Sequence, residues 1–147
     1  GKREEETMEA RERGVLFDIG HGVGSFGFAT AETMLDAGFL PDAISSDVHS
    51  LSIKGPAYDQ LVTLSKFMHL GMELKDIIAA STTGPAKAIQ RPDLGTLSPG
   101  SIGDATIIEI ENATTNYVDS LGETRVGDKK FTLKGIVLNG SWWHQPS

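Results

Sequence analysis

The sequence contains no cysteine. That excludes a disulfide framework and a thiolate metal site, and it favours the cytoplasm over an oxidising compartment. It has no apolar run near the roughly 20 residues needed to cross a bilayer. It has no excess of positive charge: the net charge of -7 disfavours a nucleic-acid partner, because Lys and Arg supply the main affinity for phosphates. The charges of Gly1-Lys2-Arg3-Glu4-Glu5-Glu6-Thr7 have no apolar stretch behind them, so the start does not read as a signal peptide. It also lacks an initiator Met, and the expectation is that the start is not a natural domain boundary.

What is present suits a soluble globular domain. The 147 residues are 39% hydrophobic and 22% charged, a balance that can bury a core and is unlike that of disordered chains. Residues 3–13 are rich in Glu and Arg and predict a solvated helix stopped by Gly14. Val15, Leu16, Phe17 and Ile19 form a short apolar run of the kind expected for a strand buried on both faces. A helix over 28–37 ends at Gly38, and a second short strand ends in Ser45-Ser46-Asp47. Helical spacing returns around Tyr58, Leu61, Val62, Ser65 and Met68, then around Leu74, Ile77 and Ile78. Thr83-Gly84-Pro85-Ala86 reads as a cap followed by a short helix.

From Leu94 the pattern changes. Thr106-Ile107-Ile108-Glu109-Ile110 predicts a strand, residues 112–129 a polar excursion, and Phe131-Thr132-Leu133 and Ile136-Val137-Leu138 two more strands, with Asn139-Gly140 as a turn. Trp142 and Trp143 are expected to close this small β region. Two βα units followed by strands do not close an architecture by themselves, since a βα barrel needs about 250 residues and two lone parallel strands leave both edges open. Either the fold is an unusual small α/β one, or the chain is part of something larger.

Two strand ends carry the candidate chemistry. Gly20-His21-Gly22-Val23-Gly24-Ser25 follows the first strand, with Gly22, Gly24 and Gly27 spaced G-x-G-x-x-G. Such loops can cradle phosphates on backbone N–H groups, which keeps a nucleotide-binding module in view. His21 could equally be packed in its turn with both ring nitrogens satisfied. Asp47, at the second strand end, faces the crevice where parallel sheets bind ligands, where a carboxylate can ligate a metal or accept a proton. Its bland alternative is a helix cap. His49 could join it, and His69 and His144 read as structural and exposed.

The segment Phe17-Asp18-Ile19-Gly20-His21-Gly22-Val23-Gly24-Ser25-Phe26, followed by Ile44-Ser45-Ser46-Asp47-Val48-His49-Ser50, resembles the dihydroorotase-like amidohydrolase/deacetylase family of the amidohydrolase superfamily. The resemblance continues through Lys66, Thr82-Thr83-Gly84-Pro85-Ala86 and Gly100-Ser101-Ile102-Gly103-Asp104-Ala105-Thr106. It implies an α/β partial fold: the last two βα units of a (β/α)8 metal-dependent hydrolase barrel over residues 1–93, and the C-terminal strands of a small β-sandwich over 94–147. The family binds one or two divalent metals, often zinc. Its ligands are a His-x-His on strand one, a frequently carboxylated Lys on strand four, His residues on strands five and six, and an Asp on strand eight. Activated water attacks an amide, cyclic amide or acyl ester of a small molecule.

Only the strand-eight Asp carries over, onto Asp47, as metal ligand and proton shuttle. His21 then ends strand seven and falls outside the metal shell, as a substrate-side or supporting residue with Gly22, Ser25 and, more weakly, His49. The chain has no His-x-His, so the resemblance implies a missing N-terminal barrel segment as partner, an isolated chain that is inactive, and scope for a homo-oligomer. A non-catalytic interaction domain, binding another chain through its open edges, is the remaining alternative.

Overall fold

The computed structural model describes the backbone of residues 2–144 and the side chains of residues 5–143. The expected exposure of His144 and the solvation of Glu4 therefore lie outside the described side chains. Ten elements follow one another: α1 (Lys2–Glu12), β1 (Asp18–Gly20), α2 (Phe28–Asp36), β2 (Ala43–Ser45), α3 (Gln60–His69), α4 (Leu74–Ser81), α5 (Thr83–Ala88), β3 (Ala105–Val118), β4 (Thr124–Leu138) and β5 (Ser141–His144). No described helix is long and apolar enough to cross a membrane.

The helix stops read from the sequence are where they were expected. Gly14 and Gly38 both adopt positive φ, the left-handed conformation that closes a helix without a Cβ clash. α3 begins at Asp59, whose carboxylate accepts the Val62 N–H at 2.8 Å, an N-cap worth about 1 kcal/mol. Gly84 packs α5 onto the chain entering β2 so closely that a Cβ there would sit 1.9 Å from the Asp42 carbonyl oxygen.

β1 and β2 pair in parallel, with Asp18 opposite Ala43 and Gly20 opposite Ser45. The pairing continues beyond the regular strands, since the N–H groups of His21 and Gly22 donate to the carbonyls of Ser45 and Ser46. Within the described residues these two strands pair only with each other.

The C-terminal region departs from expectation. Residues 112–129 are not an excursion between strands: β3 and β4 form one long antiparallel hairpin, with β5 added to β4. The two strands predicted over 131–138 are one strand. Lys134-Gly135, which interrupts its apolar pattern, is a bulge where the register shifts opposite Ile107 and Ile108. The polar stretch is half a twisted ribbon whose outer face is solvated, with Glu111 opposite Lys130. The Lys130–Glu111 and Lys134–Glu109 pairs lie 3.5 and 3.2 Å apart. Asn139 and Gly140 both take positive φ, as a tight hairpin turn requires. Trp142 and Trp143 do not close this region: they are 49% and 72% exposed, on the short edge strand β5.

One core joins the two parts of the chain. Phe26, Phe28, Leu64, Phe67 and Ile77 share it with Tyr117 and Phe131 of the hairpin. The hairpin tip reaches further. Asp119, 2% exposed, accepts the Phe28 N–H at the start of α2 at 2.9 Å, and the Leu121 and Glu123 N–H groups at 2.8 Å. It serves as the N-terminal cap of a helix some ninety residues away. Burial by itself would raise its carboxyl pKa, but the N–H groups of Phe28, Glu123 and Leu121 outweigh burial and hold it below the usual value.

Asp119→Ala strands three N–H groups and is expected to cost about 3 kcal/mol or more of stability, read by urea unfolding. Because the folded pKa is lowered, Asp119 stabilises the protein above the ordinary carboxylate pKa. That contribution is lost as pH falls through the folded value, so the gap between protein and variant should close in acid.

Candidate active site

Asp47 stands where the extended parallel pairing of β1 and β2 ends. Its backbone is left-handed, with φ 48°, which Asp tolerates better than most residues. Two glycines make room for it. A Cβ on Gly20 would lie 3.4 Å from the Asp47 Cβ. Gly22, at φ +50°, would place a Cβ 2.9 Å from Asp47 Oδ2, inside contact distance. The carboxylate thus rests on the bare backbone of the His21 loop. It is solvent-exposed and caps no helix: among the described residues only its backbone carbonyl has a hydrogen-bond partner, the Ser52 hydroxyl.

The turn after Asp47 is held from within. Ser52 is fully buried, and its hydroxyl accepts the His49 N–H at 2.9 Å. His49 is exposed, with Nδ1 accepting the Leu51 N–H at 3.3 Å. Ser25 is also exposed and, with Gly20, lines a groove of about 500 Å³ beside β1. A second groove, of about 550 Å³, lies between α3, α4 and the base of the hairpin. Asp47 lines neither.

His21 is placed differently from its neighbours. It is 0% exposed, stacked on Phe26 with ring centroids 4.7 Å apart. Its Nδ1 lies 3.0 Å from the Gly22 carbonyl oxygen, and its Nε2 lies 2.7 Å from Lys66 Nζ. The ring is thus enclosed, beside the Gly22 backbone. Burial lowers its pKa against the hydrogen bond to Gly22, and the Lys66 charge adds to the lowering, so the imidazole is neutral at pH 7.

Lys66 projects from α3 with 0% exposure. Its ammonium meets three acceptors at 2.7 Å: His21 Nε2, the Pro56 carbonyl and the Val118 carbonyl. Burial pulls its pKa from 10.5 down to about 8, opposed by the charge of Asp119, so it remains mostly protonated at pH 7. The Ser120 hydroxyl donates to the His21 carbonyl at 3.4 Å. The far hairpin therefore buttresses the loop beneath Asp47.

Neither Lys66 nor Asp119 stands out in the linear sequence as a site residue. The available signal for Lys66 was a lone cation in an apolar helical stretch, between Leu64 and Phe67. Asp119 was hidden in the stretch read as an excursion. The phosphate-cradle reading of loop 22–27 meets an obstacle here. The first N–H of the helix that follows it is already taken by the Asp119 carboxylate.

The sequence profile of the amidohydrolase family matches residues 18–143, and the chain belongs to that family. It is 35% identical over 135 residues to a deacetylase of Enterococcus faecalis, covering 91% of this chain and 37% of that protein. It is 36% identical over 125 residues to a deacetylase of Brucella anthropi, covering 85% and 31%. Its mixed α/β fold superposes on a crystal structure of an adenine deaminase with TM-score 0.89 at 34% identity, over 94% of this chain and 38% of the other. A dihydroorotase structure matches with TM-score 0.82 at 29% identity, over 97% and 40%. The chain thus spans about a third of the length of the deacetylases it matches.

A divalent metal, which this family implies, fits Asp47 in one respect: the carboxylate is exposed and its oxygens have no described partner. It does not fit the chain alone, since no group of three His, Cys, Asp or Glu among the described residues could hold a metal, and a hydrolytic zinc site takes at least three protein ligands. Titrating zinc into the 147-residue chain is expected to show no submicromolar site at Asp47, and stoichiometric submicromolar binding there would contradict this geometry. A second expectation concerns pH. From about pH 8 to 10.5 the unfolded chain holds a proton that folded Lys66 has released, so stability gains with rising pH. Relative to Lys66→Met, the gain over that window is about 3 kcal/mol at most. Urea unfolding at both ends of the window checks it.

Proposed function

We propose that this chain is the C-terminal part of a metal-dependent hydrolase, with β1 and β2 as strands seven and eight of a (β/α)8 barrel. Residues 1–93 form the end of that barrel and 94–147 the C-terminal strands of a small β-sandwich. The observation that carries the reading is Asp47: an exposed carboxylate at the C-terminal end of a parallel strand, seated on two glycines and committed to nothing else. Ligands in such folds bind at the C-terminal ends of the strands. The family membership and the deacetylase, deaminase and dihydroorotase relatives support a hydrolase acting on an amide, cyclic amide or acyl ester of a small molecule.

A divalent metal, zinc if the family resemblance holds, would supply Lewis-acid activation of water and carbonyl. Asp47 would be one of its ligands, completed by residues of the preceding barrel segment. Beside it, the Asp47 carboxylate would accept the proton of the attacking water and return it to the leaving group. Gly22 supports that carboxylate from below. Ser25 and His49, both exposed, would contact substrate, with His21 behind them. The remaining barrel segment is the partner this reading requires, in the same polypeptide or another, and a homo-oligomer and a cytoplasmic location belong to the same proposal.

In the complete hydrolase, Asp47→Asn is expected to lower kcat by about two to four orders of magnitude, the usual contribution of a positioned acid–base group. Turnover near the unmutated level would remove Asp47 from the mechanism.

A further inference from the structure

We infer that Lys66 is a positioning residue for Asp47, fixing the tautomer of His21 and, through the Gly22 backbone, the seat of the carboxylate. The inference rests on the reading of Asp47 given above for its consequence, and on the hydrogen-bond geometry of a protonated Lys66 for its first step.

The first step is a count of donors. A lysine ammonium has three N–H bonds and no acceptor. Its three partners lie at 2.7 Å, and two of them, the Pro56 and Val118 carbonyls, can only accept. The third N–H therefore points at His21 Nε2, which must be bare. A neutral imidazole with a bare Nε2 carries its hydrogen on Nδ1, and Nδ1 faces the Gly22 carbonyl at 3.0 Å. Phe26 covers one face of the ring, stacked with an interplanar angle of 20°.

The second step follows the backbone. The Gly22 carbonyl is held by His21 and the Gly22 N–H by the Ser46 carbonyl at 3.1 Å. Both peptide groups flanking the Gly22 Cα are thus fixed. That Cα is the surface on which Asp47 Oδ2 rests, and no described side chain bonds the carboxylate from elsewhere. Its place is set by the glycine beneath it, and the glycine by a lysine on the helix behind.

The role is not mere support. A lysine needed only for packing would be indifferent to the tautomer of His21 and to the step that uses Asp47. Small misplacements of a reacting group can cost about a hundredfold in rate.

The test uses the complete hydrolase labelled with ¹⁵N at histidine and read by long-range ¹H–¹⁵N correlation at neutral pH. His21 is expected to show a protonated Nδ1 and a bare Nε2. A protonated Nε2, or an imidazolium, overturns the inference without any variant being needed. In Lys66→Met only the Gly22 carbonyl still selects the tautomer, so an Nε2–H form is expected to appear beside the Nδ1–H form, and kcat to fall about a hundredfold with KM and metal content within about twofold. Lys66→Arg, which keeps the charge, should recover part of that loss. Unchanged kcat in Lys66→Met, alongside an impaired Asp47→Asn, overturns the positioning role and leaves the proposed function standing. Full turnover in Asp47→Asn with the expected His21 spectrum sinks the function instead. If Lys66→Met does not fold, the spectrum of the unmutated protein decides.

Discussion

A buried ammonium organises this structure. Taking a lysine out of water costs several kcal/mol unless each of its N–H bonds finds an acceptor. Lys66 meets that condition with three acceptors drawn from segments far apart in sequence: His21 after β1, Pro56 in the loop before α3, and Val118 at the end of β3. Its charge is further offset by Asp119, which at the same time caps α2. The strand-end loop, the helix behind it and the hairpin tip are held in register by one network. The apolar core of Phe26, Phe28, Phe67, Tyr117 and Phe131 packs around that network.

This dependence also explains why the C-terminal strands do not behave as an appendage. The hairpin contributes Tyr117 and Phe131 to the core, and Ser65 of α3 accepts the Phe131 N–H at 2.9 Å. Its tip contributes Asp119 and Ser120 to the loop under Asp47. What remains open lies elsewhere. Among the described residues the outer edges of β1 and β2 carry no strand, and the groove beside β1 is lined by Met34, Phe39 and other apolar side chains.

Much of the fold could be read from local chemistry. Gly14, Gly38 and Asn139-Gly140 announce their turns because only a few residue types accept positive φ. The two strand ends are visible because short apolar runs stop at Gly20 and Ser45. The hairpin was not legible in the same way. Its exposed face is Glu, Thr, Asn and Lys, which reads as loop when the opposite strand is unknown, and Lys134-Gly135 looks like a break where it forms a bulge. Asp47 and Gly22 come together as their strand ends suggested. His21 lies in the same place but inside the protein, because its partner is a lysine on a helix that no local pattern connects to it. The exposure of Trp142 and Trp143 has no counterpart in their composition and reflects only where β5 lies.

The central claim is that Asp47 is a metal ligand in the complete hydrolase. It is tested most directly by anomalous diffraction from crystals of that protein grown with zinc. The account predicts a peak within about 2.0–2.2 Å of an Asp47 carboxylate oxygen, the bonding distance for zinc to a carboxylate. A fully occupied zinc elsewhere in the barrel, with Asp47 uncoordinated, would contradict it.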